Sequence, residues 1–368
     1  MGYFWKGVFV VFGIVVMLAI QASSTESRAP TPPSQPSTGP GGSTYAHAAV
    51  RKTLKGEGAL QFWVFEPAEP RPEAAPLVVF NHGWGATNPR AYGAWIEHIV
   101  RRGNIVVYPV YQKPGTWRYP THLITPNAIK ATKDAIAYLR ESGHVRPQLE
   151  KFAIAGHSAG GQVAANMVAQ AAGSGLPEPK AVMSVQPGNS WKRPQIVSIP
   201  LADMTRIPAS TLILAAVGDR DDMARDIDAK RIIAESTRVP EANKDYVIVV
   251  SDEHGTPALE ADHFSPVAMD PGYGTEQLAE GAGEIAVPDF FSALKTNGRT
   301  VNGLDFYGYW KLFDGLCAAA FGGPEGRKYF GGTPEQKYMG KWSDGVPVKE
   351  LIVRGANQVV AEQPAPGR

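Results

Sequence analysis

From Leu60 onward, short apolar runs alternate with longer stretches in which apolar residues recur at helical spacing. Leu60–Phe65, Leu77–Phe80, Ile105–Val110, Phe152–Ala155, Ala181–Val185, Thr211–Val217 and Tyr246–Val250 are too short for helices and rich in Val, Ile and Phe. Such runs predict strands buried on both faces, because a strand with one wet face would alternate apolar and polar residues. Ala128–Arg140, with Ile129, Ile136 and Leu139 on one side, predicts a helix, as do Ala159–Ala172, Ala224–Ser236 and Phe306–Phe321. Strands that alternate with helices imply an α/β domain: a mainly parallel sheet covered on both faces. Only about 25 residues separate the strand at Ala181 from the one at Thr211, too few for a large cap domain.

The termini read differently. Gly7–Ile20 is almost wholly apolar and follows Lys6, and its last residue, Ile20, is spaced with Ala22 like the −3 and −1 residues of a cleavage site. Residues 1–22 therefore predict a signal peptide and a secreted, periplasmic or cell-envelope protein. If uncleaved, residues 3–20 would attach the chain to a membrane. Residues 23–44, rich in Pro, Ser, Thr and Gly, predict a disordered linker, since they hold little apolar surface to bury. The folded domain is expected over 45–357 and a flexible tail over 358–368.

Composition narrows the function classes. A net charge of +1 over 368 residues, without a Lys/Arg block, argues against a nucleic-acid partner. The single cysteine, Cys317, rules out an intrachain disulfide. No His/Asp cluster has metal-ligand spacing, and Asp252-Glu253-His254 reads as a turn.

In an open α/β sheet, ligands bind beyond the carboxyl ends of the strands. The chemistry-bearing residues fall there. Phe152–Ala155 runs into Gly156-His157-Ser158-Ala159-Gly160 and then at once into a helix. Gly-x-Ser-x-Gly alone is a weak signal. Between a strand and a helix it marks a sharp turn that holds a serine hydroxyl clear of the sheet. Ser158 is the candidate nucleophile, and the Ala159 N–H a candidate oxyanion donor. A serine needs a base, and the base a carboxylate. The carboxylates after Thr211–Val217 are Asp221, preferred, then Asp219, then Asp222. Only His254 and His263 lie beyond them. His157, inside the motif, reads as a packing residue. The second oxyanion donor is expected from Trp84, in "NHGWG" after Leu77–Phe80. Trp84, Trp191 and Phe264 are candidate apolar walls of a substrate pocket.

At these residues the chain resembles the α/β-hydrolase superfamily, through "HGWG" (82–85), "GHSAGG" (156–161), "VGDRD" (217–221) and "ADHFSP" (261–266) in the superfamily's order. Within it the chain is most similar to the branch of dienelactone hydrolases, platelet-activating-factor acetylhydrolases and secreted polyester or triglyceride hydrolases. That resemblance implies hydrolysis of small or lipid-like carboxylic esters, with no cofactor or metal. It also favours His263 over His254 as the base, because in the family the histidine lies on a long loop after the last strands. Two features depart from it. The C-terminal disulfide common in secreted polyester hydrolases is absent, and about 100 residues follow His263. In that segment Tyr307, Tyr309, Trp310, Leu312 and Phe313 are expected to be core. The same triad would serve a peptidase or amidase, and a hydrolase fold with a broken triad would make a non-catalytic surface binding protein.

Overall fold

The computed structural model describes residues 29–116, 118–188, 190, 199–270, 300–322 and 324–361. The expected signal peptide and Trp191 lie outside them. Nine strands form one sheet in the order β1-β2-β4-β3-β5-β6-β7-β8-β9. They are β1 (Ala49–Lys55), β2 (Gln61–Ala68), β3 (Ala74–Asn81), β4 (Ile105–Val110), β5 (Arg146–His157), β6 (Ala181–Val185), β7 (Leu212–Gly218), β8 (Lys244–Val249) and β9 (Ile352–Arg354). Strands β3 to β8 are mutually parallel, while β1, β2 and β9 add antiparallel edges.

The period of two along each strand explains the continuous apolar runs. Leu77, Val79, Phe152, Ile154, Ile213, Ala215 and Val217 feed one core layer. Their neighbours Val78, Phe80, Ala153, Ala155, Leu212, Leu214 and Ala216 feed the other. Every position on these strands must therefore be apolar. Helices α2 (Thr121–Tyr138), α3 (Ala159–Ser174) and α4 (Ile227–Glu235) cover the first face. The second face is covered by α1 (Gly93–Arg101) and by a π-helical segment, Leu304–Trp310, that continues as α5 (Lys311–Phe321). Tyr309, Trp310, Leu312 and Phe313 are buried there and Tyr307 packs at the margin, so the segment after His263 builds one wall of the domain.

The edges β1 and β9 escape a sequence reading because they are short or half-exposed, and "AVRKTLK" carries three cations. Two boundary expectations need correction. Residues 29–44 are not a disordered spacer: they lie on the domain as a strap. Thr256 N–H donates to the Pro30 carbonyl (2.8 Å), and Ser343 N–H to that of Thr31 (3.1 Å). Pro33 fills the space left by Gly303 and Gly340, where a Cβ would come within 2.9 and 3.0 Å of its ring. The strap has few apolar groups of its own, but its backbone is bonded to partners the domain already holds in place. At the other end, Ala356–Ala361 forms a helix, α6, whose Val359 is fully buried, so order extends past residue 357.

One carboxylate fastens the strap. Oδ2 of Asp314, on α5, accepts from Gly41 N–H (2.8 Å) and His98 Nε2 (2.9 Å) and forms an ion pair with Arg102 Nε (3.0 Å). His98 Nδ1 in turn pairs with the Tyr45 hydroxyl at 3.1 Å, and Trp310 stacks on the His98 ring. Burial pushes the Asp314 carboxyl up, but the charge and hydrogen bond of His98, the charge of Arg102 and the Gly41 N–H outweigh it and hold the carboxyl below the usual range. A depressed carboxyl stabilises the fold above its unfolded pKa and loses that effect as pH falls through the folded one. Asp314→Ala should therefore cost about 3–5 kcal/mol at neutral pH, by orphaning three donors. In urea denaturation the gap between wild type and variant should hold down to about pH 5 and close only below the ordinary carboxylate range. A gap unchanged at pH 3 would assign the loss to packing.

Candidate active site

Strand β5 ends at His157 and α3 begins at Ala159, so Ser158 makes the whole turn alone. Its backbone sits at φ 56°, ψ −124°, a region that costs a non-glycine residue on the order of 1–3 kcal/mol unless its surroundings hold it. Here they do. Ser158 N–H donates to the Val185 carbonyl (2.9 Å), and the Ser158 carbonyl accepts from Gly161 N–H (2.8 Å) and Gly188 N–H (3.0 Å). The flanking glycines are required by space. A Cβ on Gly156 would fall 2.0 Å from the Gly160 carbonyl oxygen, and one on Gly160 would fall 2.2 Å from that of Asn81. The first turn of α3 is thereby pressed against the end of β3.

Asp221 follows β7. Its Oδ1 accepts from the N–H groups of Met223 (2.9 Å) and Ala224 (2.8 Å), which aims Oδ2 at His263 Nδ1, 2.9 Å away. His263 Nε2 lies 2.9 Å from Ser158 Oγ. The structure thus joins Asp221, His263 and Ser158 in one hydrogen-bond chain, with the first two almost buried. Burial pushes the Asp221 carboxyl up, but the hydrogen bond and charge of His263 more than offset it, and the carboxyl stays below its ordinary range. Asp221 is therefore an anion throughout the neutral range.

The other candidates are placed apart from this chain. Asp219 turns away to bind Ser251 through both backbone N–H and hydroxyl, which pins the end of β8. Asp222 is exposed. His254 is on the surface, paired with Asp344 at 2.7 Å.

The histidine loop is braced by groups that carry no motif. Gln186 Nε2 donates to the Asp262 carbonyl (2.8 Å), and Ser265 Oγ donates to the same oxygen (2.7 Å). Tyr309, from the π-helical segment, meets Ser265 Oγ at 2.7 Å, and Arg220 N–H donates to the Ala261 carbonyl at 3.1 Å. Behind the nucleophile, the buried Asp228 accepts from Gln162 Nε2 (2.7 Å), Ser190 N–H (2.8 Å) and Ser190 Oγ (2.7 Å), which fixes the loop after β6. Their roles rest on tertiary proximity, and no spacing signals them.

Of the expected oxyanion donors, Ala159 follows Ser158 in the chain, and Trp84 follows Gly83, where an added Cβ would lie 3.5 Å from Ser158 Cβ. Ala159 N–H opens α3, where the helix dipole favours negative charge. Trp84 is bracketed: Gly83 N–H donates to the Tyr92 hydroxyl (2.9 Å) and Gly85 N–H to Gln112 Oε1 (2.8 Å). Phe264 stands edge-on to the His263 ring, with centroids 5.4 Å apart. His82 and His157 are fully buried. Burial pushes His82 down to about 3, and burial together with the charge of His263 does the same to His157, so both are neutral. Among the described residues no group of three or more His, Cys, Asp or Glu could hold a metal ion.

The turn at Ser158 after the fifth strand, Asp221 after the seventh and His263 after the eighth lie on a sheet whose order reverses around β3 and β4. A family model described as alpha/beta hydrolase fold matches residues 78–244. The fold is that of an α/β hydrolase. The matched region carries β4 to β7, the nucleophile turn and the acid; the histidine lies beyond it. A solved structure, from a structural analysis of two fungal esterases of Rhizomucor miehei explaining their substrate specificity, is 16% identical. It aligns over 62% of this chain and 81% of its own, with a TM-score of 0.43. No curated protein matches the chain.

Because a Gly160 Cβ has only backbone to meet, Gly160→Ala must push α3 away from β3. The expected cost is about 1–3 kcal/mol, an overpacking penalty, measurable as a lower thermal midpoint. An unchanged midpoint would mean that the turn is slack.

Proposed function

We propose that this α/β-hydrolase fold is a serine hydrolase of carboxylic esters, acting through an acyl-enzyme. The observation that carries the reading is the unbroken chain from Asp221 through His263 to Ser158 Oγ at the carboxyl edge of the sheet. Ser158 Oγ attacks the acyl carbon while its proton passes to His263 Nε2. The carbonyl oxygen becomes an oxyanion, held by the N–H groups of Trp84 and Ala159. As the tetrahedral intermediate collapses, the C–O bond to the leaving alkoxide breaks, and His263 Nε2 returns its proton to it. Water then attacks the acyl-Ser158 carbonyl with His263 again as base, releasing the acid and regenerating Ser158. The Asp221 anion fixes Nδ1–H and stabilises the imidazolium that forms at each step. Trp84 and Phe264, with Trp191, are read as pocket walls for an apolar acyl or alcohol group. The apolar run Gly7–Ile20 supports export to the envelope or beyond.

Protein retaining residues 29–44 should be labelled by a fluorophosphonate probe and should hydrolyse 4-nitrophenyl esters faster than peptide anilides. Ser158→Ala and His263→Ala should each abolish labelling and lower kcat about 10⁶-fold, and Asp221→Asn about 10⁴-fold. His254→Ala and Asp219→Asn should leave labelling intact. Preference for anilides would make the protein an amidase on the same triad. Failure of the folded parent to label would favour a binding protein.

A further inference from the structure

A second buried hydrogen-bond chain passes beneath the nucleophile. His157 precedes Ser158 and has no exposed surface. Its Nε2 lies 2.8 Å from the backbone carbonyl oxygen of His263. A carbonyl only accepts, so Nε2 carries the ring proton and Nδ1 is left with its lone pair. The Tyr92 hydroxyl, 2.9 Å from Nδ1, donates to it, and the same hydroxyl accepts Gly83 N–H at 2.9 Å. The three bonds run one way: Gly83 N–H to Tyr92 O, Tyr92 O–H to His157 Nδ1, His157 Nε2–H to His263 O. A chain polarised in one sense in a dry interior strengthens each of its members.

Its two ends are the two halves of the catalytic apparatus. Gly83 precedes Trp84, so its placement fixes the peptide whose N–H is the proposed oxyanion donor. A Cβ on Gly83 would touch the Tyr92 hydroxyl at 3.0 Å and Ser158 Cβ at 3.5 Å. At the other end is the backbone of the general base, with the His157 and His263 rings 5.0 Å apart. We propose that Tyr92 and His157 are positioning residues that fix the Trp84 oxyanion donor and the His263 base relative to each other. The inference rests on the serine-hydrolase reading above. His157 must stay neutral for this role, since a cation there would oppose the imidazolium that forms on His263. Burial holds it so, pushed down to about 3, with the His263 charge acting in the same direction. The His263 carbonyl selects the tautomer, and the Tyr92 hydroxyl satisfies the lone pair this leaves on Nδ1.

The test compares wild type with Tyr92→Phe, His157→Gln, His157→Leu and the Tyr92→Phe/His157→Gln double variant, using a 4-nitrophenyl ester. Each of Tyr92→Phe and His157→Leu should lower kcat about 10- to 100-fold, less than outright deletion of an oxyanion donor, with KM nearly constant. His157→Gln keeps an amide donor near the Nε2 position and should recover part of the loss seen with His157→Leu. The double variant should be little worse than the weaker single one, because both break one chain. Unchanged kcat in Tyr92→Phe and His157→Leu, or losses that multiply independently and raise KM, would overturn the proposal. A measurement on wild type alone guards against variants that fail to fold. Selective ¹⁵N-histidine spectra should show His157 as the neutral Nε2–H tautomer across about pH 5–9. An Nδ1–H tautomer, or titration in that window, overturns it as well. Ester hydrolysis that survives Ser158→Ala would instead bring down the serine-hydrolase reading itself. Activity lost in Ser158→Ala but undiminished in Tyr92→Phe brings down only the relay.

Discussion

The active edge of this sheet depends on how closely the first turn of α3 lies against the end of β3. The contact is backbone on backbone: Gly160 has no room for a methyl beside the Asn81 carbonyl, and Gly156 has none beside Gly160. Several features follow from that approach. Ser158 must turn the chain within one residue and so takes a left-handed φ. Its side chain then meets His263 Nε2, beside the start of α3 and the loop after β3. The strain at Ser158 is tolerable because three backbone hydrogen bonds hold the residue from β6, from α3 and from the loop at Gly188.

A rigid nucleophile is useful only if its partners are equally fixed, and they arrive from loops. Loops are normally the mobile part of a fold. Here each one is tied to something buried. Asp221 is held by two N–H groups of its own turn. Asp219, a rival for the acid on sequence, binds Ser251, whose hydroxyl also accepts Ala261 N–H, two residues from His263. Gln186 and Tyr309 grip the turn at Asp262 and Ser265. Asp221 and His263 are therefore set by polar contacts with the ends of the sheet and the π-helical segment. This gives the long segment after His263 a physical reason to exist: it covers one face of the sheet and supplies the hydroxyl that braces the histidine loop.

The strands of the core and the nucleophile turn were legible because they rest on local rules. A run such as "LVVF" or "FAIA" is apolar at every position only where both faces are covered, and a serine between glycines at a strand end has few other structural uses. The order of acid and histidine along the chain was legible too, but the choice between Asp221 and Asp219, or His263 and His254, rested on position alone. The structure separates them by partner: Ser251 occupies Asp219, and Asp344 occupies His254. The strap was misread because a Pro- and Ser-rich segment lacks the means to fold alone. Its order comes from partners distant in sequence: Thr256, Ser343 and Asp314, the last some 270 residues away.

His157 shows where sequence reasoning stops. As a residue inside a glycine-rich motif it reads as packing, and by burial it is packing. Its chemical role becomes visible only when both ring nitrogens have partners, because those partners decide which nitrogen holds the proton. At His82, by contrast, the Gly83 carbonyl places the proton on Nδ1 and Nε2 has no partner. Between the Tyr92 hydroxyl and the His263 carbonyl the His157 ring has one tautomer, one orientation and no charge. A side chain so constrained transmits position: a shift of Gly83 or of His263 would have to stretch three short bonds in a dry interior. The residue beside Ser158 thus links the loop that carries Gly83 to the loop that carries His263, next to the turn that holds Ser158.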